Sequence, residues 1–154
     1  ANQNLTRYEA FGHRVLADEI GGFAGPLAGL ERGMQAASHE LVATAPCDSP
    51  FLPSKLVQRL HEALVTRRAD LAVARTGAQV HPVFCLCKRS LHSHLRAYLA
   101  GGGRKIDAWY ADLTVTEVSF DDQSEAFTNI NTIEELEGHD QAPPGVPGPA
   151  AGSR

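Results

Sequence analysis

The sequence predicts an α/β fold of three layers with a mostly parallel sheet. Short apolar runs alternate with amphipathic segments along the chain, the order that sets helices between strands. Two of those runs, HRVLAD and ELVATAPCD, each close on an aspartate, and α/β folds collect their ligands beyond the carboxyl ends of strands. The 154 residues suit one domain with a sizeable core.

The elements follow in order. The opening ANQNLTRYEAFGH brings no apolar strand. HRVLAD reads as the first strand exit, with Asp18 at its end. In EIGGFAGPLAGL, Pro26 stands where a first helical turn tolerates proline. Leu27, Leu30, Met34 and Ala37 recur at helical spacing, which predicts a helix over 26–38. ELVATAPCD has the length and continuity of a buried parallel strand ending at Asp48. Leu56, Leu60 and Leu64 are four apart with charged residues between them, the pattern of a surface helix. DLAVART and VHPVFCLCK read as strands, and RSLHSHLRAYLAGGG as a helix stopped by glycines. RKIDAWYADL reads as a helix, TVTEVSF as a strand, and a short helix starts at Thr132. FDDQSE is expected to be a solvated loop. The domain is expected to span 1–137, and the Pro/Gly-rich 138–154 to form a disordered tail.

Bulk properties narrow the function. A net charge of −4 gives no global pull toward nucleic acid or an anionic membrane. No apolar run approaches the ~18 residues of a membrane span. The three cysteines, Cys47, Cys85 and Cys87, lack a secreted-framework spacing, so a reducing cytoplasm is expected.

Several residues are candidates for chemistry. Asp48 at a strand exit suits Mg²⁺ held by one carboxylate plus substrate phosphates; it equally suits a turn. Asp18 carries the same pair of readings, ligand or loop. Gly25 permits close backbone approach, and the helix opening at Pro26 offers free N–H groups to an anion. Arg104 and Lys105 in GGGRKID are adjacent cations that suit a phosphate or a solvated helix start. Asn129 and Asn131 lie two apart on one face of an extended segment; Asn131 also suits a helix cap. His92 and His94 diverge around a helix, and Cys85 and Cys87 read as buried small hydrophobes, so neither pair is expected to bind metal. His81 beside Pro82 reads as structural.

LAD followed by GGFAGPLAGL, then PCDSPFLP, HPVFCL, GGGRKI and FTNINTIEEL occur in one order. Together they resemble the molybdenum cofactor guanylyltransferases over residues 1–137. GPLAG alone is shared with several nucleotidyltransferases; PCDSPFLP combined with NINTIEEL is far more specific. The resemblance implies a Rossmann-like nucleotidyltransferase fold, and transfer of GMP from GTP to molybdenum-molybdopterin with release of pyrophosphate. It implies Asp48 as the Mg²⁺ ligand at the phosphates, Asp18, Gly25 and Pro26 against the nucleotide, and Asn129 and Asn131 in the active site. Arg104 and Lys105 would bind the anionic molybdopterin. The chain departs from the pattern at one point. It has no LAGGxGxRMGxDK strand and loop, so the N-terminal half-unit is expected to lie upstream of Ala1 or in a pairing segment. The 154 residues alone are expected to be inactive and marginally stable. The alternatives are a cytidylyltransferase or other nucleotidyltransferase of this fold, and a non-catalytic pterin- or nucleotide-binding module that engages a molybdoenzyme or its chaperone.

Overall fold

The computed structural model describes residues 8–10, 12–16 and 25–128. Four strands, β1 (Leu41–Thr44), β2 (Leu71–Thr76), β3 (Gln79–Lys88) and β4 (Val115–Ser119), form one sheet in the order β1-β3-β2-β4. Among the described residues the helices that pack with them are α1 (Pro26–Ala36), α2 (Leu56–Thr66), α3 (His92–Ala100) and α4 (Ile106–Tyr110). Short 3₁₀ segments cover Arg89–Leu91 and Asp121–Phe127.

The layers follow from alternation along the strands. On β2, Leu71 and Val73 face α1, α3 and α4, meeting Leu27, Leu30, Met34, Leu95, Leu99 and Trp109. Ala72 and Ala74 face the other way. Their small side chains leave room for Leu56, Leu60 and Leu64 of α2 and for Phe84, Phe120 and Phe127. Cys85 and Cys87 of β3 join the first cluster, Phe84 and Leu86 the second, so the two thiols do share one buried face. The three layers are as the apolar pattern predicts.

Strand direction is mixed. β2 and β4 are parallel, while β3 is antiparallel to both β1 and β2. β1, β2 and β4 therefore run the same way around one reversed strand, and only one of the three ladders is parallel. The cause is local. β2 and β3 are joined by Gly77 and Ala78 alone, too few residues for a parallel crossover. Gly77 takes a φ of 52°, the positive value such two-residue hairpin turns need at their first position. The expected buried parallel strand at ELVATAPCD is thus corrected: β1 is half-buried, pairs antiparallel with β3, and ends the sheet among the described residues. HRVLAD fares differently again. Residues 14–16 form no strand among the described residues, and 17–18 lie outside them.

The β2–β3 ladder is also broken. Val73 pairs with Cys85 and the next residue, Ala74, with His81, so Pro82, Val83 and Phe84 have no counterparts on β2. Proline cannot donate to a ladder, which is why the strand swells at this point. Side chains replace the lost bonds: Thr44 Oγ1 donates to the Val83 carbonyl at 2.6 Å and Tyr110 Oη to the Pro82 carbonyl at 2.7 Å.

At the opposite end of the sheet Asp70 ties three strands. Its carboxylate takes a 2.9 Å bond from Lys88 Nζ and a 3.3 Å bond from the Thr114 amide. Lys88 and the Thr114 amide together hold its pKa below the ordinary carboxylate value. The acidic residues of FDDQSE are solvated as expected, but the segment is a 3₁₀ turn tied down at several points rather than a plain loop. Within the 3₁₀ segment, Asp121 accepts from the Gly77 amide and Ser119 Oγ, and Asp122 pairs with Arg59 at 2.9 Å. Arg59 also donates to the Ser119 carbonyl and lies 4.1 Å over the Phe120 ring, which anchors the segment to α2.

Candidate functional site

The residues leaving β1 build the site. After Thr44 the chain passes through Ala45 and Pro46 and turns at Cys47 and Asp48. Pro46 and Pro50 bracket that turn and keep it from extending either the strand or the helix that follows. Buried Ser49 sits behind it, and Asp48 is half-buried with its side lining a cleft of ≈ 650 Å³. The other walls are Pro26 at the start of α1, Cys47, and Gln79 through Phe84 with Phe127. This is the end where β1 and β2 exit and β3 enters, the region where ligands gather in α/β folds.

Gly25 caps α1 at φ 62°, a left-handed conformation that strains other residues. It lets the chain turn into the helix with Pro26 at the cleft wall. Arg104 and Lys105 follow α3 at this end of the sheet, since Tyr110 of the next helix bonds Pro82. Neither lines the cleft; Arg104 donates to the carbonyls of Leu99 (3.0 Å) and Gly103 (2.7 Å), and Lys105 is exposed. The structure brings Asp48 and Pro26 together in the cleft lining, which includes neither cation. Asp18, Asn129 and Asn131 lie outside the described residues.

The cleft also holds a residue the sequence reading set aside as structural. His81 stacks on Phe127 with centroids 4.6 Å apart and 29° between planes, and meets Phe84 edge-on at 6.0 Å. Thr76 Oγ1 lies 2.7 Å from its Nε2, and burial lowers its pKa below the ordinary histidine value. Its signal was the proline after it, which marks the ladder break.

His92, His94 and the two buried thiols have structural partners. His92 Nε2 is 2.8 Å from buried Glu31, and His94 Nδ1 accepts from the Trp109 indole at 3.0 Å. The Cys87 thiol is pushed up by its hydrogen bond with Cys85 and by burial, away from nucleophilic character. A second cavity, ≈ 780 Å³, lies at the far end of the sheet between Leu41, Met34, His61 and Lys88. It is remote from the strand exits, and its Lys88 and His92 are engaged by Asp70 and Glu31.

Helices on both faces of a twisted sheet, with a carboxylate and a helix start at the strand exits, define a Rossmann-like nucleotidyltransferase fold. A solved structure of molybdopterin-guanine dinucleotide biosynthesis protein A from Archaeoglobus fulgidus has this fold, with a TM-score of 0.68 at 19% identity over 86% of this chain and 69% of that one. Residues 1–114 match the MobA-like NTP transferase domain. The molybdenum cofactor guanylyltransferase of Cupriavidus metallidurans is 50% identical over 145 residues, 91% of this chain and 71% of that protein. That of Shewanella putrefaciens is 47% identical over 135 residues, 88% and 69% respectively. The chain belongs to the MobA-like NTP transferase family of nucleotidyltransferases.

Proposed function

We propose that the chain is the larger part of a molybdenum cofactor guanylyltransferase, acting on GTP and molybdenum-molybdopterin. The observation that carries this reading is the half-identity to the Cupriavidus guanylyltransferase across nearly the whole chain. Asp48 in the strand-exit cleft gives it a chemical centre. A molybdopterin phosphate oxygen attacks the α-phosphorus of GTP in line. The new P–O bond forms as the bond to the bridging β-phosphate oxygen breaks, and pyrophosphate leaves. Alignment and charge neutralisation are what such a step requires of a protein.

Asp48 fits Mg²⁺ because it offers hard carboxylate oxygen in an open cleft rather than a closed cage. Substrate phosphates and water would complete the coordination of such an ion. Bound there, Mg²⁺ would neutralise phosphate charge. The start of α1 at Gly25 and Pro26 orients the nucleotide; Asp18 would serve its guanosine part, and Asn129 and Asn131 the metal or the pterin. Arg104 and Lys105 draw in the anionic pterin substrate.

We infer that the 154 residues alone turn over little GTP, because the sequence holds no LAGGxGxRMGxDK loop to wrap the phosphates. The test compares this chain with a chimera that places such a strand and loop before Ala1. Guanine dinucleotide cofactor and pyrophosphate are measured with Mg²⁺, GTP and molybdopterin. The chimera should form both products. Equal rates for the two proteins would refute the inactivity, and a preference for CTP would replace guanylyl with cytidylyl transfer. Pterin binding by the chain without GTP binding, and no product from the chimera, would favour a non-catalytic module.

A further inference from the structure

The reading above leaves the aromatic wall of the cleft without a task. Phe127 is 7% exposed and is packed against Phe120 at 5.5 Å and Phe84 at 4.7 Å, so it cannot swing. His81 lies flat on it and carries the aromatic surface out to the cleft. Three constraints fix the ring. Phe127 backs one face, Thr76 holds Nε2, and Phe84 meets it edge-on. It stands on the last ladder-paired residue before the swollen part of β3, where the ladder skips three residues and Thr44 and Tyr110 hold the displaced carbonyls. Bulges concentrate beside binding sites, and this one borders the cleft directly after His81. Burial keeps the imidazole neutral near neutral pH, so it meets a ligand as a flat, polarisable ring rather than as a cation.

We infer that His81, backed by Phe127, is a stacking platform for the planar bicyclic ring of a substrate whose phosphate end points to Asp48. The claim rests on the guanylyltransferase reading, and it adds a binding residue to it. The chemistry shared by both substrates is the fused 2-amino-4-oxopyrimidine ring, present in the guanine of GTP and in the pterin. Either ring would bring a flat face to the imidazole and a phosphate to the Asp48 side of the cleft. Tripolyphosphate has the charge without the ring, so it separates stacking from anion attraction.

The experiment is calorimetric titration of the 154-residue chain, its His81→Leu variant and its His81→Phe variant. The ligands are 6-hydroxymethylpterin phosphate, GTP with Mg²⁺, and tripolyphosphate with Mg²⁺. Leucine fills the space above Phe127 without offering an aromatic face, and melting curves check that each variant keeps the fold. The platform predicts that His81→Leu weakens at least one ring ligand about ten-fold while His81→Phe stays within about three-fold of the parent, the scale of one base–aromatic stack. Tripolyphosphate should bind all three proteins alike. Loss confined to the pterin phosphate assigns the platform to the pterin; loss confined to GTP assigns it to guanine. If the parent binds a ring ligand and folded His81→Leu binds it equally well, the platform is wrong and the guanylyltransferase reading stands. If neither the parent chain nor the chimera carrying the loop binds a ring ligand, both fall.

Discussion

Replacing Asp70 by asparagine tests whether the far end of the sheet is held by a charged clamp. The carboxylate bonds Lys88 Nζ at 2.9 Å and the Thr114 amide at 3.3 Å, linking the end of β3 and the approach to β4 at the first turn of β2. Buried hydrogen bonds to charged groups contribute about 1.5–3 kcal/mol, but the two side chains here are 33% and 40% exposed. Screening by solvent reduces the expected loss to about 1 kcal/mol. With a urea slope of roughly 2 kcal/mol per molar, that moves the unfolding midpoint down by about 0.5 M. The pH dependence has a definite sign. Because the folded carboxyl titrates below its ordinary value of 3.8, its contribution is complete above that value and disappears as pH falls through the folded pKa. Urea titrations of Asp70→Asn and the parent should therefore differ at pH 6 and converge at pH values well below 3.8. A difference that is the same at both ends, or none at pH 6, would refute the clamp.

Other expectations follow from burial and placement. Leu60→Ala removes a side chain with 0% exposure that faces Ala72 and Ala74, and should cost about 3 kcal/mol because those small neighbours cannot fill the gap. Val65→Ala, at 57% exposure on the same helix, should stay within about 0.5 kcal/mol of the parent by denaturant unfolding. Of the three thiols, Cys47 should react with an aromatic disulfide reagent in the folded protein, whereas buried Cys85 and Cys87 should react only on unfolding. In the chimera, Asp48→Asn should lower turnover on the order of a hundred-fold with an unchanged melting temperature. An intact Mg²⁺-dependent rate would remove its assigned role.

What the sequence disclosed was mostly short-range. Leu56, Leu60 and Leu64 announced α2 because a helix brings residues four apart onto one face, and all three are buried. Pro26 marked the first turn of α1, and the three glycines after Ala100 marked the stop of α3. Strand direction was not legible, because an apolar run looks the same whichever way its neighbour runs. Only the two-residue Gly77–Ala78 link forces β3 to reverse, and its consequence for β1 arises in the assembled sheet. The acid run at Asp121 and Asp122 is solvated as read, but its anchoring was not legible for a related reason: its partners, Gly77 and Arg59, are 44 and 63 residues away. Asp48 was readable as a strand-exit carboxylate, and it does line the cleft. His81 was not, since its contact with Phe127 is created by folding and no local spacing encodes it.

The chain's single tryptophan gives the molecule a built-in optical reporter with a limited view. Trp109 is 1% exposed in the layer of α1, α3 and α4, beside Tyr110 and the His94 that accepts its indole proton. The aromatic cluster of Phe84, Phe120 and Phe127 lies across the sheet from it. Indole emission therefore follows loosening of one side of the sandwich and is blind to the side that walls the cleft, so a denaturation curve recorded by emission alone describes half of this protein.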